Sequence, residues 1–335
     1  MYDADKTVAT IVIVTYKSEN EIKDCINSLV LQSFKAYEII IVDNSPDNDT
    51  VNIVKKDFPF IKLIKNKKNS GYGAGNNIGV KLARGEYIVI LNPDTVVDRD
   101  WLKELLKPII TNERIITTSK ILTKDGRMIN TCGNIIHFTG LAFTRGYGMN
   151  PDSYPTAEYV EEFSGCSFAI KKSIYLKLGG FDDNIFLYHD DVDFSIRAQL
   201  NGFKILYVPH SIVFHDYQLK VSPEKIYFLE KGRYIILRKY LTTSDFVRIW
   251  PSLLMAELLT LGYSSKFGVQ GLRFKMNAIK DGLSVESKKY NKEREDLFHR
   301  LNKTIPVDQL TFTRTDKIVK IIANLIFELN MRMIK

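Results

Sequence analysis

Buried-type strands alternate with amphipathic segments over the first third of the chain. Ala9–Tyr16, Glu38–Val42 and Tyr87–Leu91 are apolar runs rich in β-branched residues and without polar alternation, which is typical of strands buried on both faces of a parallel sheet. Ser18–Glu21 fits a capping box, and apolar residues recur behind it at helical spacing. This alternation with short connections predicts an α/β fold: an open, mostly parallel sheet with flanking helices.

The pattern changes twice further along. Residues 111–160 are less regular, and they predict loops and short strands at the rim of a cleft. Beyond residue 221 the pattern is helical, with helices predicted at 226–240 and 249–261 and an amphipathic helix from Lys317 onward. We therefore divide the chain into a domain at 1–225, with parts at about 8–110 and 111–225, and a mostly helical C-terminal region at 226–335.

Composition places the chain among ordinary globular proteins. It has 335 residues, of which 45% are hydrophobic and 26% charged. Its three cysteines lack metal-ligand spacing, which favours buried thiols in a reducing compartment. The N-terminus lacks the features of a signal peptide, and no apolar run reaches the roughly 18 residues of a membrane span. These features predict a cytoplasmic protein.

The charge is concentrated in the C-terminal third. Residues 226–335 contain 20 Lys and Arg against 11 Asp and Glu, a net of +9, whereas the whole chain carries +8. Such asymmetry predicts an anionic partner for this region. A membrane surface fits the amphipathic terminal helix, and packing on the domain at 1–225 or on a second subunit fits it equally well. No recognition motif indicates nucleic acid.

Polar residues recur where the predicted strands end, at Thr15, Asp43, Asn92 and Asp94. In open α/β sheets ligands bind at this edge. A carboxylate such as Asp94 suits a divalent cation that also takes diphosphate oxygens, although Asn92-Pro93-Asp94 is also ordinary turn chemistry. A lone histidine such as His215 is more often structural, but an Asp and a His at two strand ends can share one metal ion.

Two further segments have chemical and structural interpretations. The glycines at 71, 73 and 75 have the wrong position and spacing for dinucleotide binding, but a glycine loop that opens a helix can approach a phosphate or simply form a tight turn. Asp190, Asp191 and Asp193 form a carboxylate cluster that fits either a helix N-terminus or a general base. The apolar run before them favours the general base.

Six segments occur in the order of a known family. They are IVIVTYKSE, IIIVDNSPDND, NSGYGAGNNIG, LNPDT, FSGCSFAIKK and GGFDDNIFLYHDDVDF, followed by His215. Over residues 8–240 the chain resembles the inverting glycosyltransferases of family 2, and especially their rhamnosyltransferase-like branch, which builds surface polysaccharides. The resemblance implies a GT-A fold, which is a Rossmann-like open sheet, with a helical extension after it.

The resemblance also implies roles for individual residues. Asp191 matches the family's catalytic base, with Asp193 as a second candidate and Asp190 in place of the family's Glu. Asp94 and His215 would hold Mg²⁺ or Mn²⁺, and Gly165 and Cys166 would lie near the acceptor or donor sugar. The residues that would bind the nucleotide-sugar are Thr15, Tyr16, Asp43, Asn69, Gly71, Gly75, Asn76, Asn92 and Asp94.

These roles imply a metal-dependent transfer of a sugar, rhamnose being one candidate, from a dTDP- or UDP-linked donor to a glycan or lipid-linked glycan. The enzyme would work in the cytoplasm or at the inner face of the membrane, as a monomer or a homo-oligomer. One alternative is a polyprenyl-phosphate sugar synthase, which would attach more firmly to the membrane. Another is a non-catalytic domain of the same fold that binds glycans or nucleotides.

Overall fold

The computed structural model describes residues 7–217, 221–286 and 300–334. Contacts between residues divide the chain into two units. The first unit comprises the residues up to 134 together with 144–186 and 190–218. The second unit comprises residues 135–143, 187–189 and those from 219 onward.

The first third of the chain folds as the alternating pattern predicts. The strands are β1 (Ala9–Thr15), β2 (Tyr37–Asp43), β3 (Lys62–Lys65) and β4 (Tyr87–Leu91), and the helices are α1 (Ile22–Val30), α2 (Asp49–Asp57) and α3 (Tyr72–Leu82). β1 pairs in parallel with β2 and β4, and β3 pairs in parallel with β2. Ile11 and Ile13 pack into one core cluster and Val12 into another, so β1 is buried on both faces. The parallel α/β prediction is confirmed.

The remaining elements of the first unit, together with a small hairpin, follow in chain order. They are β5 (Thr95–Val97), α4 (Trp101–Thr111), β6 (Ile115–Thr123), β7 (Ile129–Thr131), β8 (Asn134–Ile136), β9 (Ala142–Thr144), β10 (Glu158–Val160), β11 (Ser167–Lys171), α5 (Lys172–Leu178), α6 (Asp190–Leu200) and β12 (Lys204–His215). β8 and β9 pair separately as the hairpin. β6 is a nine-residue strand inside the main sheet, whereas the sequence pattern predicts only loops and short strands for 111–160.

The main sheet runs in the order β10-β12-β6-β11-β4-β1-β2-β3, with β5 paired to β12 and β7 to β6. β12 is parallel to β6, whereas β11 is antiparallel to both of its neighbours. Because of this reversal, β11 begins where β4 ends, and Ser167 pairs with Leu91. The segment just before β11 therefore lies at the carboxyl edge of the parallel strands.

The predicted capping box does not form. Helix α1 begins after Glu21, which makes no side-chain cap. The carbonyl of Ser18 instead accepts hydrogen bonds from the backbone N–H groups of Glu21 and Ile22, and its hydroxyl accepts from the N–H of Tyr16. Ser18 therefore closes a turn between β1 and α1.

The second unit is mainly helical, as the sequence predicts for the C-terminal third. Its helices are α7 (Pro223–Tyr240), α8 (Thr243–Arg248), α9 (Trp250–Ser265), α10 (Gly268–Ser284) and α11 (Arg314–Met333). Arg233 of α7 and Lys275 of α10 are fully buried and share the carboxylates of Glu230 and Glu257. This pairing compensates the burial of Glu230, Arg233 and Lys275, while Glu257 is partly exposed.

Exposed large apolar side chains are most numerous on two of these helices. They include Trp250, Leu254, Leu258 and Leu261 on α9, and Ile318, Ile321, Ile322, Leu325 and Leu329 on α11. Most of them recur every three or four residues and so form a stripe along each helix. Among the residues that the model describes, no helix combines the length and the apolar character that a membrane crossing requires.

Gly85 provides a test of the packing of β1. A Cβ at this position would lie 2.5 Å from the backbone of Ala9 and Thr10, which no side-chain movement can relieve. We expect Gly85→Ala to lower the free energy of unfolding by about 1–3 kcal/mol, measured by urea denaturation. Gly202→Asn is the control, because nothing lies within 4 Å of its Cβ and Asn tolerates the left-handed backbone there. Equal effects of the two substitutions would contradict this account.

Candidate active site

The ends of β1 and β2 form one corner of the candidate site. Thr15 and Asp43 are register partners, and the Thr15 hydroxyl donates to Oδ1 of Asp43 over 2.8 Å. The Asp43 carboxylate is fully buried and also accepts from the Ser45 hydroxyl at 2.7 Å and from Lys65 Nζ at 2.7 Å. Tyr16, the next residue after Thr15, is 50% exposed. The corner therefore combines a satisfied, buried carboxylate with an exposed aromatic ring.

The glycine-rich segment borders this corner. The N–H of Gly71 donates to the side chain of Asn69, and its carbonyl accepts from the side chain of Asn44. Gly71 has a φ of 85°, and a Cβ there would lie 2.3 Å from the carbonyl oxygen of Phe186. Both facts require glycine at the turn into α3.

The next two residues of the segment serve the packing of α3. A Cβ on Gly75 would lie 2.8 Å from the side chain of Val14, so this glycine brings α3 close to β1. Asn76 is fully buried and donates to the Tyr72 carbonyl, while its Oδ1 has no hydrogen-bond partner. Both positions therefore have a structural role whether or not they approach a ligand.

Asp94 and His215 come together at the ends of two other strands. Asp94 lies between β4 and β5, and the pairing of β5 with β12 brings His215 beside it. Nε2 of His215 and Oδ1 of Asp94 are 3.1 Å apart. Burial raises the pKa of Asp94, but the hydrogen bond and charge of His215 outweigh that effect and leave it below its ordinary value. Burial lowers the pKa of His215, but neighbouring Cys166 and Asp94 raise it to about 10.

The donor set of this pair fits a divalent cation once the His215 imidazole has given up its extra proton, because a metal binds only the neutral ring. One carboxylate oxygen and one imidazole nitrogen suit Mn²⁺ or Mg²⁺, and the Asp94 side chain is 34% exposed, which leaves it open to a ligand. In the described ranges, no three His, Cys, Asp or Glu side chains are grouped as a metal site. A cation here would therefore need further oxygen ligands from water or from a bound diphosphate.

The carboxylate cluster lies in the first turn of α6. Asp191 accepts from the N–H of Gly165 through Oδ2 at 3.2 Å and from the N–H of Val192 through Oδ1 at 3.0 Å. Asp190 and Asp193 are fully buried, whereas Asp191 is partly exposed. Burial raises the pKa of Asp191 above its ordinary value, while these N–H groups act in the opposite direction. Asp191 can therefore reach a ligand and has a raised proton affinity, as a general base requires.

Asp193 is held differently from Asp191. Its carboxylate pairs with the guanidinium of Arg197 at 2.8 Å, and Arg197 also donates to the carbonyl of Leu178. This buried pair ties α6 to the end of α5. The geometry favours a structural role for Asp193, while its role as a second base stays a prediction.

Gly165 and Cys166 connect the carboxylate cluster to the Asp94 loop. Gly165 donates to Asp191, and the Cys166 carbonyl accepts from the N–H of Asn92 at 3.0 Å. The Cys166 thiol also lies beside His215. The structure thus brings Asp94, His215 and Asp191 to one edge of the sheet, although about a hundred residues separate Asp94 from Asp191.

Three residues of this site are not predicted from the sequence. Lys65 ends β3 in register with Asp43, so the alignment of parallel strand ends was the available signal. The Tyr72 hydroxyl donates to the Gly165 carbonyl, and Glu162 lies buried next to Asp191. No sequence signal distinguishes Glu162 from its neighbour Glu161.

A family model and several known proteins match this chain in sequence. A family model described as "Glycosyl transferase family 2" matches residues 10–175. The low-salt glycan biosynthesis hexosyltransferase Agl10 of Haloferax volcanii is 27% identical over 204 residues, which are 58% of this chain. The chain spans 63% of the length of that relative.

Solved structures share the fold of the chain. GalNAc-T7, solved with UDP, GalNAc and Mn²⁺, superimposes with a TM-score of 0.61 at 17% identity and covers 84% of this chain and 57% of its own. Residues 1–349 of Staphylococcus aureus TarS, solved with UDP, give a TM-score of 0.54 at 22% identity and cover 82% of this chain and 80% of their own. The likeness shows a GT-A fold.

The pairing of Asp193 with Arg197 leads to a stability prediction. Asp193→Asn would leave the buried Arg197 without its counter-charge, so we expect the free energy of unfolding to fall by about 3 kcal/mol, measured by denaturant titration. Asp152→Asn, at an exposed position, is the control and should change it by less than about 0.5 kcal/mol. Unchanged stability of the Asp193 variant would argue against the anchoring role.

Proposed function

We propose that this chain, whose residues 10–175 match the model of glycosyl transferase family 2 and whose fold is GT-A, is a metal-dependent inverting glycosyltransferase. It would transfer a sugar from a nucleotide-diphospho-sugar to a hydroxyl of a glycan or lipid-linked glycan. The observation that carries the proposal is the convergence of Asp191 with the Asp94–His215 pair through Gly165 and Cys166.

Asp191 is the proposed general base. It would take the proton of the acceptor hydroxyl as the oxygen attacks the anomeric carbon, while the bond from that carbon to the donor diphosphate breaks on the opposite face. Inversion at the anomeric carbon follows from this geometry. Two backbone N–H groups fix the orientation of the carboxylate, and its partial exposure lets an acceptor approach.

Asp94 and His215 are the proposed metal ligands. Mg²⁺ or Mn²⁺ bound there would neutralise charge on the leaving diphosphate. The pair itself orients the site, because the imidazole of His215 holds one oxygen of Asp94 while the Asp94 side chain stays 34% exposed.

The corner at β1 and β2 is the proposed nucleotide site. Tyr16 offers an exposed ring for the nucleotide base. The other residues that would line or shape the nucleotide site are Thr15, Asp43, Asn69, Gly71, Gly75, Asn76 and Asn92. Lys65, which is not predicted from the sequence, adds a positively charged side chain to this site. The donor would be UDP- or dTDP-linked, with rhamnose as one candidate sugar, and Gly165 and Cys166 would lie beside the donor or acceptor sugar.

The second unit is the proposed contact with an anionic membrane surface. Its exposed apolar stripes on α9 and α11 and the basic balance of residues 226–335 are the combination that binds the inner face of a membrane peripherally. A cytoplasmic enzyme with a lipid-linked acceptor would use such a surface, and a homo-oligomer would bury the same stripes instead. The domain division at about residue 225 is part of this proposal.

Removing the base should separate catalysis from binding. Asp191→Asn should lower the rate of sugar transfer by about 10²–10⁴-fold while the affinity for UDP stays unchanged, because the amide cannot accept the proton. Release of nucleotide from a panel of UDP- and dTDP-sugars measures the first effect, and calorimetric titration with UDP the second. Asp152→Asn is the control.

The results of this test distinguish the functional alternatives. Turnover that persists in the Asp191 variant would contradict the assignment of the base. Binding of UDP by the wild-type protein without turnover of any donor would favour the non-catalytic domain. Transfer of sugar to polyprenyl phosphate would favour the polyprenyl-phosphate sugar synthase.

The metal assignment has its own test. Mn²⁺ together with UDP should raise the melting temperature of the wild-type protein more than UDP alone, because a cation that bridges protein and diphosphate adds binding energy to the folded state. Asp94→Ala should abolish the additional rise in melting temperature that depends on Mn²⁺. Asp98→Ala, at an exposed position beyond β5, should retain that rise. An undiminished Mn²⁺ effect in the Asp94 variant would place the cation elsewhere.

A further inference from the structure

Glu162 is a buried carboxyl group that the proposed mechanism does not use. Its side chain is 1% exposed, in the segment that leads into Gly165. Oε1 accepts from the side-chain amide of Asn134 at 3.1 Å, and the backbone carbonyl of Glu162 accepts from the N–H of the same residue at 2.9 Å. Asn134 is held in turn by the Thr131 hydroxyl. Glu162 is therefore fixed in one orientation.

The second carboxyl oxygen of Glu162 faces a different environment. Oε2 is buried and accepts no hydrogen bond from any residue that the structure describes, and the Glu162 carboxyl group as a whole lies within hydrogen-bonding reach of the Asp191 carboxylate. An ionised carboxylate with a buried oxygen and no donor would be strongly destabilised. The same oxygen is satisfied if it carries a proton and donates it to Asp191.

The charges around Asp191 favour this protonation. Asp190 and Glu162 face Asp191, and the hydroxyl of Tyr72 is a further titratable neighbour. Asp193 lies near Asp190 and is paired with Arg197. In the described part of the chain, no Lys or Arg is paired with Glu162, Asp190 or Asp191. Three such carboxyl groups, two of them buried, cannot all be ionised side by side without a cation to compensate them.

The hydrogen bonds indicate which group keeps the charge. Asp191 accepts from two backbone N–H groups, whereas the Glu162 carboxyl accepts from one neutral amide and Asp190 from the single N–H of Asp191. Burial and the nearby charge of Asp191 raise the pKa of Glu162 well above its ordinary value. Asp191 is thus the carboxylate that is best stabilised as an anion.

We propose that Glu162 is a positioning residue that stays protonated and donates a hydrogen bond to Asp191, so that the proposed base is ionised and aimed at the acceptor hydroxyl. The inference rests on the proposed function. Glu162 keeps its proton throughout, and the proton of the acceptor goes to Asp191.

Two substitutions of Glu162 test the donation. Gln retains a neutral donor, so Glu162→Gln should keep the rate of nucleotide release from the best UDP- or dTDP-sugar within about threefold of the wild-type rate. The acid limb of the pH profile, where the rate falls at low pH, should not move. Ala removes the donor, so Glu162→Ala should move the acid limb to higher pH by about one unit or more, because the Asp191 anion loses a stabilising hydrogen bond. Glu161→Gln, next to Glu162 and partly exposed, is the control and should leave the profile unchanged.

An infrared measurement tests the protonation without any turnover. At neutral pH the wild-type protein should show the C=O band of a protonated carboxylic acid, and Glu162→Gln should remove that intensity. This readout holds even if the Ala variant does not fold. It also separates the two proposals, because a wild-type protein that turns over no donor refutes the proposed function while the band still reports on Glu162.

Three results would overturn the inference. The first is an acid limb that moves to lower pH in the Gln variant, which would mean that Glu162 carries a charge. The second is an unchanged limb in a folded Ala variant. The third is the absence of any difference in the C=O band between the wild-type protein and the Gln variant.

Discussion

The antiparallel insertion of β11 between β4 and β6 is the constraint on which the rest of the first unit depends. In a sheet of parallel strands, the start of each strand lies far from the edge where ligands bind. Because β11 runs the other way, its first residues lie at that edge, and the Gly165–Cys166 turn contacts Asn92 on one side and Asp191 on the other. One reversed strand thus links the loop that carries Asp94 to the helix that carries Asp191.

Part of this arrangement can be predicted from the sequence because it follows from local pattern. The parallel strands β1, β2 and β4 are uninterrupted apolar runs, and polar residues mark their ends. The sequence pattern does not predict β6, because the centre of this strand, Thr117 to Lys120, is polar. In the structure these side chains are buried and satisfied from distant segments, for example Thr117 by the carbonyl of Leu105 and Lys120 by the carbonyl of Pro151. Such tertiary hydrogen bonds leave no periodic signal in the sequence.

The candidate site shows the same limit. The sequence places Asp190, Asp191 and Asp193 together but cannot rank them, because burial and partners decide what each carboxylate can do. Asp193 is closed off by Arg197 and Asp190 is buried, which leaves Asp191 as the accessible member. Glu162 became visible only through the fold, which packs it beside α6, whereas the alignment of the ends of β2 and β3 was the available signal for Lys65.

The hydrogen-bonded corner at Thr15, Asp43 and Lys65 has a thermodynamic consequence. Its side chains are already immobilised by one another, since both oxygens of Asp43 have protein donors. Immobilising a flexible side chain on binding costs about 0.5–1.5 kcal/mol. A ligand that binds at this corner avoids most of that cost, because these side chains are already ordered. Association at this corner is therefore preorganised, and its entropy is governed by the incoming molecule and its displaced water rather than by the polypeptide.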